Sequence, residues 1–127
     1  MISREDIEAF EYFSQTEMEM NVYQAAAAQT AIYKHEHQVI YPALGLAAEA
    51  GEVANKVKKI LRDGKFDRQA IADEVGDCLW YIAALCRDLN VRMSALAAAN
   101  LKKLPDRKKR GVIRGKGQKR QVLETLG

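Results

Sequence analysis

Leu46-Ala-Ala-Glu-Ala-Gly-Glu-Val-Ala-Asn-Lys-Val-Lys-Lys-Ile60 is the most telling stretch of this chain. Its apolar residues Leu46, Ala50, Val53, Val57 and Ile60 recur at 4-3-4-3, the spacing of one helix face. Ile71, Val75, Cys78, Ile82, Leu85 and Leu89 repeat that rhythm further on. Two such stripes predict a pair of antiparallel helices packed face to face. The chain around them has 127 residues, 48% hydrophobic, enough for one domain with a core and too apolar for wholesale disorder. Abundant Ala, two Pro and no alternating pattern point to an all-α fold, a bundle of about four main helices.

Punctuation sets the expected boundaries. A short helix is predicted over 4–13 and a longer one over 17–34, introduced by the capping-box spacing Thr16-Glu-Met-Glu19. Pro42 suits the first turn of the next helix, which should run to Arg62 and stop at a left-handed Gly64. Asp67 can cap a third helix ending at Asp88, with Asn90 beyond it. A fourth should cover 93–104 and be cut off by Pro105. Residues 1–104 then form the helical domain, and 105–127 an extended basic arm containing Gly111, Gly115 and Gly117.

No apolar run reaches the roughly 20 residues of a membrane helix. The start Met1-Ile-Ser-Arg-Glu-Asp lacks a secretory pattern, so a cytoplasmic protein is expected. Cys78 and Cys86 suit buried reduced thiols. His35 and His37 lack a Cys pair at zinc spacing, so zinc is not expected. From Lys102 to Arg120 ten Lys or Arg face one acid, Asp106. That segment carries +9 in a chain of net +3, leaving −6 elsewhere. A basic arm on an acidic body predicts a polyanionic partner for the arm and cations for the body.

The acids have a pattern. At 100° per residue, Glu49 and Glu52 lie about 60° and 120° to one side of their stripe, and Glu74 and Asp77 share one side of theirs. Packing the stripes together brings four carboxylates to one rim. At an effective dielectric near 20, each like-charged pair 4 Å apart costs about 4 kcal/mol. Protonation or hard cations must relieve this, and Mg²⁺ or Mn²⁺ prefer such oxygen ligands.

With these motifs in hand, Glu49-Ala-Gly-Glu52, a spacer of 21 residues and Glu74-Val-Gly-Asp77, the sequence resembles the MazG-like nucleoside triphosphate pyrophosphohydrolases of the all-α NTP pyrophosphatase superfamily. The likeness extends over about residues 20–120 and includes Tyr23-Gln24, Thr30-Ala31, Tyr41 to Lys56, Ala72 to Tyr81, Asn100 to Leu104 and Asp106 to Gly117. It implies hydrolysis of a nucleoside triphosphate to monophosphate and pyrophosphate, by water attack at the α-phosphorus. Glu49, Glu52, Glu74 and Asp77 would then be the catalytic acids that bind Mg²⁺ or Mn²⁺, Glu52 lying nearest the attacking water.

Asn100 falls on the apolar stripe of the fourth helix. It is either an amide paired with a neighbouring helix end or, with Lys103, the phosphate-site residue that the family implies. Lys56 either pairs with Glu52 along its helix or contacts phosphate. Tyr81, one turn beyond Asp77, is a cover for base or sugar or a core tyrosine, and Gln24 resembles a base-pocket position. Arg107, Arg114, Lys116 and Arg120 could fold over a triphosphate, or belong to a solvated tail. The family's arm often ends Gly-x-Gly-Asp-Asn-Arg, whereas this one reads Gly115-Lys-Gly-Gln-Lys-Arg120.

Trp80 and Ala83 point away from the main stripe of their helix. This predicts a second helical layer from another subunit, consistent with the dimers or tetramers of the family's small members. A homotetramer or homodimer is therefore expected. The basic ending resembles phage-type members, which would act in a host cytoplasm, among them a branch called MazZ that removes dGTP. A deoxypurine triphosphate is the expected substrate class and dGTP the specific candidate. The competing reading is an oligomeric module that binds nucleic acid through the arm. It leaves the phased acids without a purpose, so no specific nucleic acid is expected.

Overall fold

Helix-forming sequence punctuated at few points yields, among the described residues, four α-helices and no strand. The computed structural model describes Arg4 and residues 17–111. The helices are α1 (Met20–Ala28), α2 (Ile40–Asp63), α3 (Arg68–Asp88) and α4 (Met93–Lys109), with a 3-10 turn at His35–His37.

The α2–α3 hairpin follows the sequence expectation closely. Gly64 ends α2 at φ +69, a left-handed conformation that glycine takes without steric cost, and its N–H donates to the Ile60 carbonyl at 2.8 Å. Asp67 caps α3 by accepting from the Ala70 N–H at 3.0 Å. Asn90, at φ +57, closes the turn after α3. These two helices form the most extensive contact in the molecule, while α1 lies across α3 and α4 meets α1 and α3.

Three boundaries depart from expectation. The helix predicted over 17–34 begins at Met20 and stops at Ala28, because Thr30 closes its end: the Thr30 N–H and hydroxyl both donate to the Ala27 carbonyl, at 3.0 and 2.8 Å. Glu19 precedes the first turn in extended conformation instead of completing a capping box; Thr16 and, Arg4 apart, the predicted helix over 4–13 lie outside the described residues. The third departure is α4, which continues through Pro105 to Lys109. Proline removes one N–H donor and the bonds beyond it resume, with Arg110 N–H donating to Asp106 at 3.0 Å and the Arg110–Asp106 ion pair at 2.8 Å bracing the last turn.

The tightest packing is not between the two stripes. Ala27, Ala83, Cys86 and Met93 are the buried cluster, with Tyr23, Trp80 and Ile82 packed around it. The Trp80 face, expected to await another subunit, is thus covered by α1 of the same chain. The Trp80 indole N–H donates to Thr30 Oγ1 at 2.7 Å, and the small Ala27 and Ala83 let the helices approach. Of the stripes, Leu46, Val53, Ile60, Ile71, Cys78 and Leu85 are half-buried, whereas Ala50, Val57, Val75 and Leu89 are exposed. What remains open is an apolar groove along α3 of about 630 Å³, lined by Phe66, Ile71, Val75, Leu79 and Ile82 among others.

Candidate metal centre

The α2–α3 pairing sets the acids of one helix against those of the other. Glu49 on α2 and Glu74 and Asp77 on α3 each place a carboxylate oxygen within 4.8 Å of the others. Glu49 and Glu74 are half-buried and Asp77 is exposed. A hydrogen bond with Glu74 is the main cause holding the Glu49 carboxyl above its ordinary range; partial burial and the charges of Asp77, Glu74 and Glu52 push the same way. Three carboxylates gathered this closely are a site short of positive charge. The set consists only of hard oxygen donors, which suits Mg²⁺ or Mn²⁺.

The structure brings three of the four expected acids into this group. Glu52 is exposed one turn further along α2, near enough for its charge to act on Glu49 but outside the 4.8 Å group. Lys56, half-buried, follows one turn later.

Tyr81 stands where the acids can feel it. Its ring lies so close to α2 that a Cβ on Gly45 would come within 2.1 Å of Cε1, so only glycine admits it there. Tyr81 also meets the Trp80 ring edge-on at 5.0 Å and the Tyr41 ring at 6.4 Å. Burial pushes the Tyr81 hydroxyl up, followed by Tyr41 and then by Glu49 and Asp77. Tyr23 of α1 is likewise raised, by burial first and by the charge of Asp77 second.

Tyr23, Tyr41 and Gly45 belong to the stretches that carry the family likeness, but sequence reasoning gave them no role in the site. The first-turn position of Tyr41 and the four-residue step from Tyr41 to Gly45 were the available signals.

Other expected site residues are placed differently. The Gln24 amide ties α1 to the start of α4, its Nε2 donating to the Val91 carbonyl and its Oε1 accepting from the Met93 N–H, both at 2.9 Å. Asn100 is exposed instead of being a buried amide on an apolar stripe. Because α4 does not stop at Pro105, Asn100, Lys103 and Arg107 share one exposed helix face at steps of three and four residues. That helix packs on α1 and α3 and presents this polar face outward. Arg114, Lys116 and Arg120 lie outside the described residues. His35 and His37 are exposed in the 3-10 turn, and Cys78 and Cys86 are free thiols. Among the described residues, the acid trio is the one cluster with metal-ligand geometry, and no helix is long and apolar enough to cross a membrane.

Comparison with known proteins agrees with this geometry. The family model of the MazG nucleotide pyrophosphohydrolase domain matches residues 35–112, a span holding all four acids. The Gene 37 protein of Mycobacterium phage L5 is 44% identical over 114 residues, covering 81% of this chain and all of that protein. No solved structure matches the chain. The acid trio gathered across the hairpin, the family match over most of the chain and the phage relative agree: the chain belongs to the MazG family of nucleotide pyrophosphohydrolases, enzymes that split nucleoside triphosphates.

Proposed function

We propose that the chain hydrolyses a nucleoside triphosphate to its monophosphate and pyrophosphate in a reaction requiring Mg²⁺ or Mn²⁺. The observation carrying this reading is the acid trio, with three carboxylate oxygens within 4.8 Å of one another and the Glu49 carboxyl held above its ordinary range, first by its hydrogen bond with Glu74. Glu49, Glu74 and Asp77, joined by Glu52, would hold the metal. Bound there, such an ion would neutralise these acids and supply Lewis-acid activation of water and phosphate.

Glu52, exposed beside the trio, accepts a proton from water attacking the α-phosphorus. The bond from that phosphorus to the bridging oxygen breaks, and pyrophosphate leaves. Lys56 neutralises phosphate charge one turn away. Tyr81 covers the base or sugar, a placement supported by its reach to both the acids and Tyr41. Asn100, Lys103 and Arg107 form a phosphate-binding strip, and Arg114, Lys116 and Arg120 contribute further cations for phosphate. The outward direction of the strip supports its action in the site of a neighbouring copy. The open apolar groove on α3 supports a homodimer or a dimer of dimers.

The likeness to a phage protein makes deoxypurine triphosphates, dGTP foremost, the substrates to test first. Pyrophosphate release from every common NTP and dNTP, with Mg²⁺, with Mn²⁺ and with chelator, tests the proposal. Release confined to the metal-containing reactions is expected. No release from any triphosphate would overturn it.

A further inference from the structure

Asp88, at the end of α3, has a side chain with 0% exposure and no part in the chemistry above. Its Oδ2 accepts from the Tyr33 hydroxyl and from the Val39 N–H, both at 2.8 Å, and its Oδ1 lies 3.3 Å from the Arg87 guanidinium. Arg87 also donates to the Tyr33 hydroxyl at 2.8 Å and sits over the Tyr33 ring. The backbone held here is unusual. Val39 has φ +66 and ψ −51, and the Ile40 N–H donates to the Gln38 carbonyl at 2.7 Å across it. This is the γ-turn of positive φ, a rare and strained form, on a β-branched residue that avoids this region. Such turns persist only where surrounding structure over-determines them.

The turn has a consequence two residues later. Val39 precedes α2, so its conformation sets where the first turn of that helix places Tyr41. The Tyr41 ring stacks on Tyr33 at 4.9 Å and 21° and also meets Tyr81, tilted, at 6.4 Å. Tyr81 in turn lies within the field of Glu49 and Asp77. A single buried carboxylate therefore holds both the strained turn and the outer ring of a tyrosine row that ends at the acids.

We propose that Asp88 is a positioning residue of the nucleotide site, holding the Val39 turn and Tyr33 so that Tyr41 seats Tyr81 beside the acid trio. The proposal rests on the pyrophosphohydrolase reading for its substrate but not for its geometry. Loss of the Asp88 carboxylate frees Val39 to relax and carries Tyr41 away from Tyr81. The effect falls on nucleotide binding more than on the chemical step, because Glu49 and Asp77 lie about three helical turns from Val39 and Asp88 along α2 and α3.

The test uses the full chain with Asp88→Ala, Asp88→Ala/Val39→Gly and Tyr33→Leu. Helix content, emission of the single Trp80 and KM against kcat for the best triphosphate are measured. Asp88→Ala is expected to raise KM about tenfold with kcat little changed, the signature of lost ground-state positioning. Trp80 emission should shift, since Trp80 touches Tyr81. Glycine takes φ +66 without strain, so adding Val39→Gly should restore most of the loss, a rescue that a general packing defect would not give. A folded Asp88→Ala variant with wild-type KM and emission overturns the proposal, as does a double variant no better than the single one. If Asp88→Ala does not fold, Tyr33→Leu decides: raised KM with shifted emission supports the proposal, and unchanged values refute it. If the wild-type chain releases no pyrophosphate at all, the functional reading fails, and the emission and its rescue by Val39→Gly still decide the positioning.

Discussion

Replacing Gly45 by alanine sets two effects of known sign against each other. In an exposed helix interior the change stabilises by roughly 1 kcal/mol through backbone propensity. At Gly45 the new Cβ would stand 2.1, 2.4 and 2.5 Å from three atoms of the Tyr81 ring. Ordinary contact begins at 3.4 Å, so the ring must retreat by about 1.3 Å, and Trp80 and Tyr41 flank it. Overpacking of this kind costs about 1–3 kcal/mol. Gly51 on the same helix is the control, since its added Cβ meets nothing within 4 Å. The difference between Gly45→Ala and Gly51→Ala cancels propensity and leaves the packing cost. Thermal melts followed by circular dichroism should place Gly45→Ala below Gly51→Ala by roughly 3–15 °C for a domain of this size. Tyr81→Ala should close much of that gap, as coupled neighbours do. If Gly45→Ala raised the melting temperature as much as Gly51→Ala, the close approach of Tyr81 to α2 would be wrong, along with its placement beside the acids.

Glu49→Gln, Glu52→Gln, Glu74→Gln and Asp77→Asn should each lower turnover in Mg²⁺ at least ~100-fold, about 2.7 kcal/mol of transition-state stabilisation; near-normal rates in any two would undo the assignment. Because Glu49 is held above its ordinary range, the folded metal-free chain binds that proton more tightly than the unfolded chain. Stability from this group is therefore greatest below the ordinary carboxylate range and is lost as pH rises through the raised value. Melts in chelator should show that decline in the wild type and a flatter profile in Glu49→Gln; matching slopes would contradict the raised Glu49 carboxyl. Light scattering should give a multiple of 14.2 kDa, and Leu79→Lys in the apolar groove should weaken the assembly by placing an unpaired charge in an apolar contact. A wild-type mass of 14.2 kDa would exclude the oligomer.

Local chemistry explains which expectations survived. Gly64, Asp67 and Asn90 act through their own backbone and neighbours, so the limits of α2 and α3 could be read without the fold. Helix phase made the meeting of Glu49, Glu74 and Asp77 legible, because facing helices with phased carboxylates have few other ways to pack, but not that Glu52 stands outside the group. Periodicity reveals that a face is apolar but not what covers it, so α1 in place of a second subunit over Trp80 was beyond its reach. The early stop of α1 rests on Thr30 turning back onto the Ala27 carbonyl, which periodicity does not register, and the Tyr81–Gly45 contact depends on the register between two helices. The passage of α4 through Pro105 shows the converse, a local rule outweighed by the bonds on either side of one missing donor.

The start of α4 has a further bearing on the molecule. Arg92 precedes it without any side-chain cap; the first free N–H groups, of Met93 and Ser94, are accepted by Gln24 and Asn21 of α1. A helix whose cap is borrowed from another element frays when that element frays. Amide exchange should therefore report α1 and the first turn of α4 as one cooperative unit, opening at a common free energy while the α2–α3 hairpin stays protected. The polar strip carrying Asn100, Lys103 and Arg107 would then come and go with α1, so a contact that steadies α1 around Tyr23 would also steady the strip at the far end of α4.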